Sequence, residues 1–250
     1  MIVVSGVQRQ FNGHQVLKGV DMTVADGKTH VILGRSGCGK SVLLKHMLGL
    51  MKPDRGSISV NGLDLAKLDE EQLNKARLQF GMVFQGAALF DSLTIEENVG
   101  FLLYEFTELN RTKIRAKVKE LLKLVGLGSI EDKKPYELSG GMRKRVAIAR
   151  ALCLNPSVLM YDEPTTGVDP IGSDMINALI MDLNVKLGVT SVVITHDLAS
   201  AFSIAHHISF MFDGRIVLTG TPAEVRATTE PRLMQFLTGS RQGPIGETDV

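Results

Sequence analysis

Eight consecutive residues, Gly34-Arg35-Ser36-Gly37-Cys38-Gly39-Lys40-Ser41, constrain the fold of this chain more than any other segment. They match the phosphate-binding pattern GxxxxGK[ST] and lie between an apolar run at 30–33 and a helical pattern at 41–50. A strand therefore enters the segment and a helix leaves it. The glycines let the backbone curl until successive amide N–H groups and the helix N-terminus face an anion. Lys40 adds a mobile positive charge for terminal phosphates, and Ser41 is placed to ligate Mg2+. An ordinary glycine-rich strand-to-helix turn would read the same way in isolation, so a second motif has to decide.

Three short apolar stretches, 31–33, 158–161 and 191–195, predict buried strands, each followed by a turn of functional character. Helical patterns lie between them, which predicts a parallel sheet covered on both faces with ligands at the carboxyl ends of its strands. At 250 residues the chain suits one large α/β domain or two small ones. The first 25 residues, and the stretch from Gly56 to the Asn61-Gly62 turn, alternate Val and Ile with polar residues and predict flanking antiparallel strands. From about 86 to 153 the strand signal fades. Ile114, Val118, Leu121, Leu122 and Val125 recur at helical spacing up to Gly126, a C-cap candidate, so this middle third reads as a helical insertion. After Gly239, residues such as Gly243, Pro244 and Gly246 with little apolar content predict a tail outside the packed core.

The second motif is Val158-Leu159-Met160-Tyr161-Asp162-Glu163, a buried strand that delivers two carboxylates to the edge where the phosphate loop emerges. Asp162 suits Mg2+ held through its water shell, and Glu163 suits the water that attacks a γ-phosphate. The third is Leu138-Ser139-Gly140-Gly141-Met142 ahead of the helical run 143–152, where a Ser N-cap and two glycines make another anion-binding helix start. One nucleotide in one fold does not need two such cradles. The economical arrangement is a head-to-tail dimer in which Ser139, Gly140 and Gly141 serve the nucleotide of a second copy.

In this order the three motifs resemble the nucleotide-binding domain of ABC transporters, in which they are the Walker A, Walker B and signature sequences. The resemblance implies a P-loop NTPase of the α/β class at 1–238, with a RecA-like core (1–85 and 154–225), an antiparallel β subdomain, a helical subdomain (86–153) and a C-terminal tail at 239–250. It implies ATP and Mg2+ as cofactors and ATP contacts from Phe11, stacking on adenine, and from Gly34, Arg35, Ser36, Gly37, Cys38, Gly39, Lys40 and Ser41. By the same resemblance Gln85 of the Q-loop contacts Mg2+ or the attacking water, with Ser41 and Asp162 as further metal ligands. Glu163, His196 and Gln85 form the catalytic group, and Asp169 of the D-loop couples the two sites. Outside the family, His196 reads as a structural histidine at a strand end and Phe11 as a core aromatic.

Within that family Phe84-Gln85-Gly86-Ala87-Ala88-Leu89-Phe90-Asp91, Met142, and Pro231-Arg232-Leu233-Met234-Gln235-Phe236-Leu237 look like the Mla type, which serves lipid-transport systems containing MCE proteins. Met142 stands where the family commonly has Gln and cannot offer the same hydrogen bonds. Val42, Thr166-Gly167-Val168 and the Phe11 ring without a hydroxyl are milder departures that remove no charged catalytic group. The implied partners are a second copy, an integral membrane permease, an MCE substrate-binding protein and a small STAS-type subunit. The implied location is peripheral, at the cytoplasmic face of the inner membrane.

No overall basic field points to nucleic acid or anionic lipid, because 28 Lys and Arg against 27 Asp and Glu leave a formal +1; no nucleic-acid partner is expected. No run approaches the roughly 20 apolar residues of a spanning helix. Residues 1–6 lack the features of a secretory signal, which predicts a cytosolic chain. Cys38 and Cys153 have no metal-ligand spacing and predict reduced thiols. Arg111, Lys113, Arg115, Lys117, Lys119 and Lys123 intersperse with an apolar stripe and fit a solvated helix face better than a lipid-binding one. Two ATPase units, as in ribosome-directed ABC proteins, and the long coiled coil of chromosome-type members are both missing from the sequence. An importer for amino acids or another polar solute stays open, as does a tail that crosses to the second copy.

Overall fold

Val31, Ile32 and Leu33 are consecutive and apolar, and neighbouring residues of a strand point to opposite faces, so a sheet containing them needs cover on both sides. The computed structural model, which describes residues 1–246, has that arrangement. A hairpin of β1 (Ile2–Phe11) and β2 (His14–Val24) precedes β3 (Thr29–Leu33) and α1 (Lys40–Met47). Next come β4 (Arg55–Val60), β5 (Leu63–Asp64), α2 (Glu70–Arg77) and β6 (Phe80–Val83). Three helices follow with no strand between them: α3 (Ile95–Phe106), α4 (Arg111–Leu124) and α5 (Gly140–Ala151). The chain then runs through β7 (Val158–Asp162), α6 (Pro170–Leu187), β8 (Thr190–Thr195), α7 (Leu198–Ile204), β9 (His207–Phe212) and β10 (Arg215–Gly220). It closes with α8 (Pro222–Arg226) and α9 (Pro231–Thr238).

Six strands form the central sheet in the order β10-β9-β3-β8-β7-β6, parallel except for β10 at one edge. A second, antiparallel sheet has the order β2-β1-β4-β5. The two faces of the central sheet feed two cores. Val31, Leu33, Leu159, Tyr161 and Val193 join residues of α3 to α7, while Ile32, Val158, Met160, Val192 and Ile194 join α1 and the antiparallel sheet. The expected α/β architecture with antiparallel and helical additions is therefore present. α4 buries Ile114, Val118, Leu121 and Leu122, is capped by Asn110, and is followed by Gly126 at φ +69°. Of its basic residues, Arg115 crosses to Glu96 on α3 at 2.5 Å and to Asp132 at 3.0 Å.

Sequence patterning did not single out β6, β9 or β10. β6 is four residues long and alternately half-buried, too short for a periodic signal. β9 and β10 are joined by Asp213-Gly214, both at positive φ, a turn signal that was present in the sequence. The chain after Gly239 also departs from expectation. The Gln235 side chain on α9 donates to the carbonyls of Ser240 and Ile245 (3.2 Å each) and accepts from the Ile245 N–H at 2.7 Å. One amide thereby satisfies three backbone groups, folds residues 240–246 against α9 and buries Ile245. The expected crossing of the tail to a second copy also involves 247–250, which lie outside the described residues.

His30, near the amino end of β3, is buried with Nε2 2.8 Å from Ser209 Oγ and its ring stacked 6.2 Å from His207. Burial, with His207 nearby, lowers its pKa from 6.5 to about 4. The unfolded chain then binds more protons between those values, so stability falls as pH drops from 6.5 to 4, by up to about 3 kcal/mol for this group. H30Q should flatten the dependence of Tm on pH across that window, and a variant slope equal to that of the original chain contradicts the assignment.

Candidate nucleotide site

Four parallel strands, β3, β8, β7 and β6, end along one edge, and each hands the chain to a residue singled out in the sequence. Backbone bonds continue past the strand ends: Gly34 N–H donates to the Thr195 carbonyl at 3.3 Å and Glu163 N–H to the Ile194 carbonyl at 2.9 Å. They fix the phosphate loop, the Glu163 turn and the His196 turn to one another. A cavity of about 270 Å3 opens there, lined by Ser36, Gly37, Gly39, Lys40, Ser41, Gln85, Asp162, Glu163 and His196, with Val16 and Val42.

The loop has the shape of an anion cradle. A side chain at Gly34 would meet the Met211 carbonyl oxygen and, at 2.9 Å, Cys38 Sγ. At Gly39, φ +106°, a Cβ would come within 3.1 Å of Leu17 and of the Val16 carbonyl. Gly39 is also the N-cap of α1, which has no side-chain cap and no acidic residue in its first turn. Its first N–H groups and the positive end of the helix dipole are left for an anionic ligand. Lys40 is buried, donates to the carbonyls of Gly34 (2.6 Å) and Arg35 (2.8 Å), and lies 3.8 Å from Glu163 Oε1.

Opposite Lys40 stand the two acids. Glu163 adopts φ +48°, a conformation that costs about 1 kcal/mol or more in a residue with a side chain. Its carboxylate is held on three sides: His196 Nδ1 at 2.9 Å, Thr195 Oγ1 at 3.2 Å and Thr166 Oγ1 at 3.4 Å. Asp162 accepts from Ser41 Oγ at 3.4 Å. Burial, then the neighbouring Glu163 charge, raises its pKa above the usual carboxylate value. A buried and a half-buried carboxylate beside a serine hydroxyl and the Gln85 side chain form an oxygen-rich donor set that suits a hard divalent cation.

Not every expected ATP contact converges here. Arg35 faces residues 239–246 instead, in a neighbouring cavity lined also by Gln235 and Phe236. Cys38 packs against the core beneath the loop. Phe11 does not line the cavity; its ring is covered by the Arg9 guanidinium at 4.7 Å, and Val16 of the same hairpin lines the cavity. Ser139, Gly140 and Gly141 lie elsewhere, in a second cavity of about 310 Å3 that they share with Gly167, Val168, Asp169 and Ile171. Ser139 caps α5 by accepting from Met142 N–H at 3.2 Å, and Asp169 caps α6 by accepting from Gly172 N–H at 2.9 Å.

Four residues at the site were not singled out as site residues in the sequence. Thr166 and Thr195 are hydroxyl neighbours of Glu163 and His196, and position beside a motif was their only signal. Val16 is distant in sequence and had none. Lys144, on the buried face of α5, reaches the backbone of both Gln85 and Glu163. Burial lowers its pKa despite the raising influence of Asp162 and Glu163. Its signal was a lysine in helical register with Ala147 and Ile148.

Fold and site together define a P-loop nucleotide-binding cassette. The family model described as "ABC transporter" matches residues 17–166, and the chain belongs to that family as its ATP-hydrolysing cassette. It is 41% identical over 249 residues to the probable ribonucleotide transport ATP-binding protein mkl of Mycobacterium tuberculosis, covering 99% of this chain and 69% of that one. It is 40% identical to the protein TRIGALACTOSYLDIACYLGLYCEROL 3, chloroplastic, of Arabidopsis thaliana (98% and 75% covered). Against the intermembrane phospholipid transport system ATP-binding protein MlaF of Escherichia coli it is 38% identical (92% and 86%). Among solved structures, a dimeric ATP-binding cassette in a post-hydrolysis state with ADP and Pi superposes with TM-score 0.81 at 32% identity, covering 89% of this chain and 99% of that one.

Gly34→Ala tests the cradle. The added methyl group overpacks the loop against β9, and ATP affinity should fall at least about tenfold with a Tm drop of several degrees. Unchanged binding of a fluorescent ATP analogue would contradict the close approach described.

Proposed function

We propose that this chain is the motor of a lipid-transporting ABC system, in which two copies close on two Mg-ATP molecules and drive a membrane permease. The observation that carries the catalytic part is Glu163, held by His196, Thr195 and Thr166 across the phosphate cradle from Lys40. In that position its carboxylate can take a proton from a water directed at the terminal phosphate, while His196 keeps the carboxylate oriented. Lys40 exchanges its carbonyl partners for phosphate oxygens. Ser41, Asp162 and Gln85 would hold Mg2+, which would supply charge neutralisation on the phosphates. For Phe11 to support adenine, the base must use the ring face opposite Arg9 or displace that side chain.

A head-to-tail dimer is supported by the separation of the two cavities. The signature and Asp169 line their own concave surface, with none of residues 34–41 in it, so each needs a partner surface. The dimeric state of that neighbouring cassette supports association of two copies. Among the described residues no helix is long and apolar enough to cross a membrane, which suits a peripheral subunit at the cytoplasmic face of the inner membrane. Lipid as cargo rests on the phospholipid transport named for MlaF and the glycolipid in the Arabidopsis name. An MCE substrate-binding protein and a STAS-type subunit would complete such a system. The name of the mycobacterial relative favours a second reading, a polar solute of the ribonucleotide type.

Glu163→Gln should lower ATP turnover at least about a hundredfold while ATP binding persists; wild-type turnover contradicts the general-base role. Mass spectrometry of the complex purified from native membranes tests the cargo. An MCE protein among the partners supports lipid, and a solute-binding lipoprotein in its place overturns it.

A further inference from the structure

Lys144 is a buried cation that forms no ion pair among the described residues. Its ammonium donates instead to two main-chain carbonyls from opposite sides of the site, that of Gln85 and, at 3.3 Å, that of Glu163. Burying an ammonium is expensive unless its hydrogen bonds are satisfied, and here they are spent on the two residues flanking the phosphate cradle. One acceptor, Glu163, is itself strained, and the other, Gln85, lies two residues before a strained pair. Glu163 sits at φ +48°, and Ala87 and Ala88, just after Gln85, sit at +62° and +50°.

A second cation on the same helix sharpens the role. Arg150 donates to the carbonyls of Ala87 (2.8 Å) and Ala88 (2.6 Å). α5 therefore grips the loop after β6 at two points, one helical segment apart. Arg150 reaches that loop alone, whereas Lys144 reaches the loop and Glu163 together. Because Ser139 caps the same helix, displacement of either the signature end of α5 or the Gln85 loop changes the hydrogen bonding at the Glu163 carbonyl.

We propose that Lys144 is a positioning residue for ATP hydrolysis: it locks the Glu163 turn only when the Gln85 loop and α5 are seated together, and so ties turnover to the placement of the helical layer. This rests on the assignment of Glu163 as general base. It predicts an effect on the chemical step with little effect on nucleotide binding, since Lys144 does not line the cavity.

The test is steady-state Mg-ATP hydrolysis by the full chain carrying Lys144→Met, Lys144→Arg or Glu163→Gln, with Tm recorded for each. Lys144→Met should lower kcat about 10–100-fold, as loss of an orienting partner commonly does, with KM for ATP within about twofold. Lys144→Arg, which restores a cation of similar reach, should recover most of kcat. A wild-type kcat in Lys144→Met, a loss that appears wholly in KM, or no recovery in Lys144→Arg overturns the proposal. Should Lys144→Met fail to fold, Lys144→Gln is read on the same scale: at least a threefold lower kcat at unchanged KM supports the role and an unchanged kcat overturns it. Wild-type turnover in Glu163→Gln overturns the general-base assignment and this proposal with it. An inactive Glu163→Gln beside an unaffected Lys144→Met overturns this proposal alone.

Discussion

The register of β8 between β3 and β7 sets the position of every group in the nucleotide site. Leu33 pairs with Thr195 and Asp162 with Ile194, so the residues that follow each strand emerge side by side. A slip of β8 by one residue would turn Val192 and Ile194 from one core to the other and Val193 the opposite way, exchanging partners on both faces at once. Burial on two faces thus fixes the register, and the register fixes the site. The bonds from Gly34 to Thr195 and from Glu163 to Ile194 extend the same ladder into the loops.

Several strained backbone positions lie at that edge. Gly37 and Gly39 take positive φ where a side chain would be penalised, and Glu163, Ala87 and Ala88 take it despite having one. Each strained non-glycine residue is held by partners from elsewhere in the fold, through β8, α5 or both. Lys40 spans the gap between the carbonyls of the loop and Glu163, so the cradle contains a mobile cation already close to the carboxylate that faces it. A phosphate group entering the cradle meets N–H donors, a lysine and a helix N-terminus with no acidic residue in its first turn.

Much of this was legible in the sequence because it depends on local chemistry. GxxxxGK[ST] after an apolar run encodes strand, loop and helix together, and adjacent acids at the end of 158–161 announce a second strand edge. The Ser-Gly-Gly helix start and the α4 stripe were equally local. What escaped detection was made by packing across the fold. Lys144 looked like any surface lysine until α5 was set against β6, and the tail looked unstructured because the group that organises it is a single amide, Gln235. Arg35 and Phe11 illustrate the converse. Motif position named them as ATP contacts; in the fold Arg35 lines a cavity with the 239–246 segment and the Phe11 ring lies under Arg9.

The proposal that two copies share each nucleotide site is tested most directly by the mass of the Glu163→Gln chain in solution, measured by light scattering with and without Mg-ATP. ATP should convert a monomer into a dimer with two nucleotides bound. Gly140→Asp added to the same chain should leave ATP binding intact and the mass monomeric, because a carboxylate then faces the partner's phosphates. A chain that binds ATP and stays monomeric without the second change, or a dimer unaffected by Gly140→Asp, would contradict a site divided between two copies.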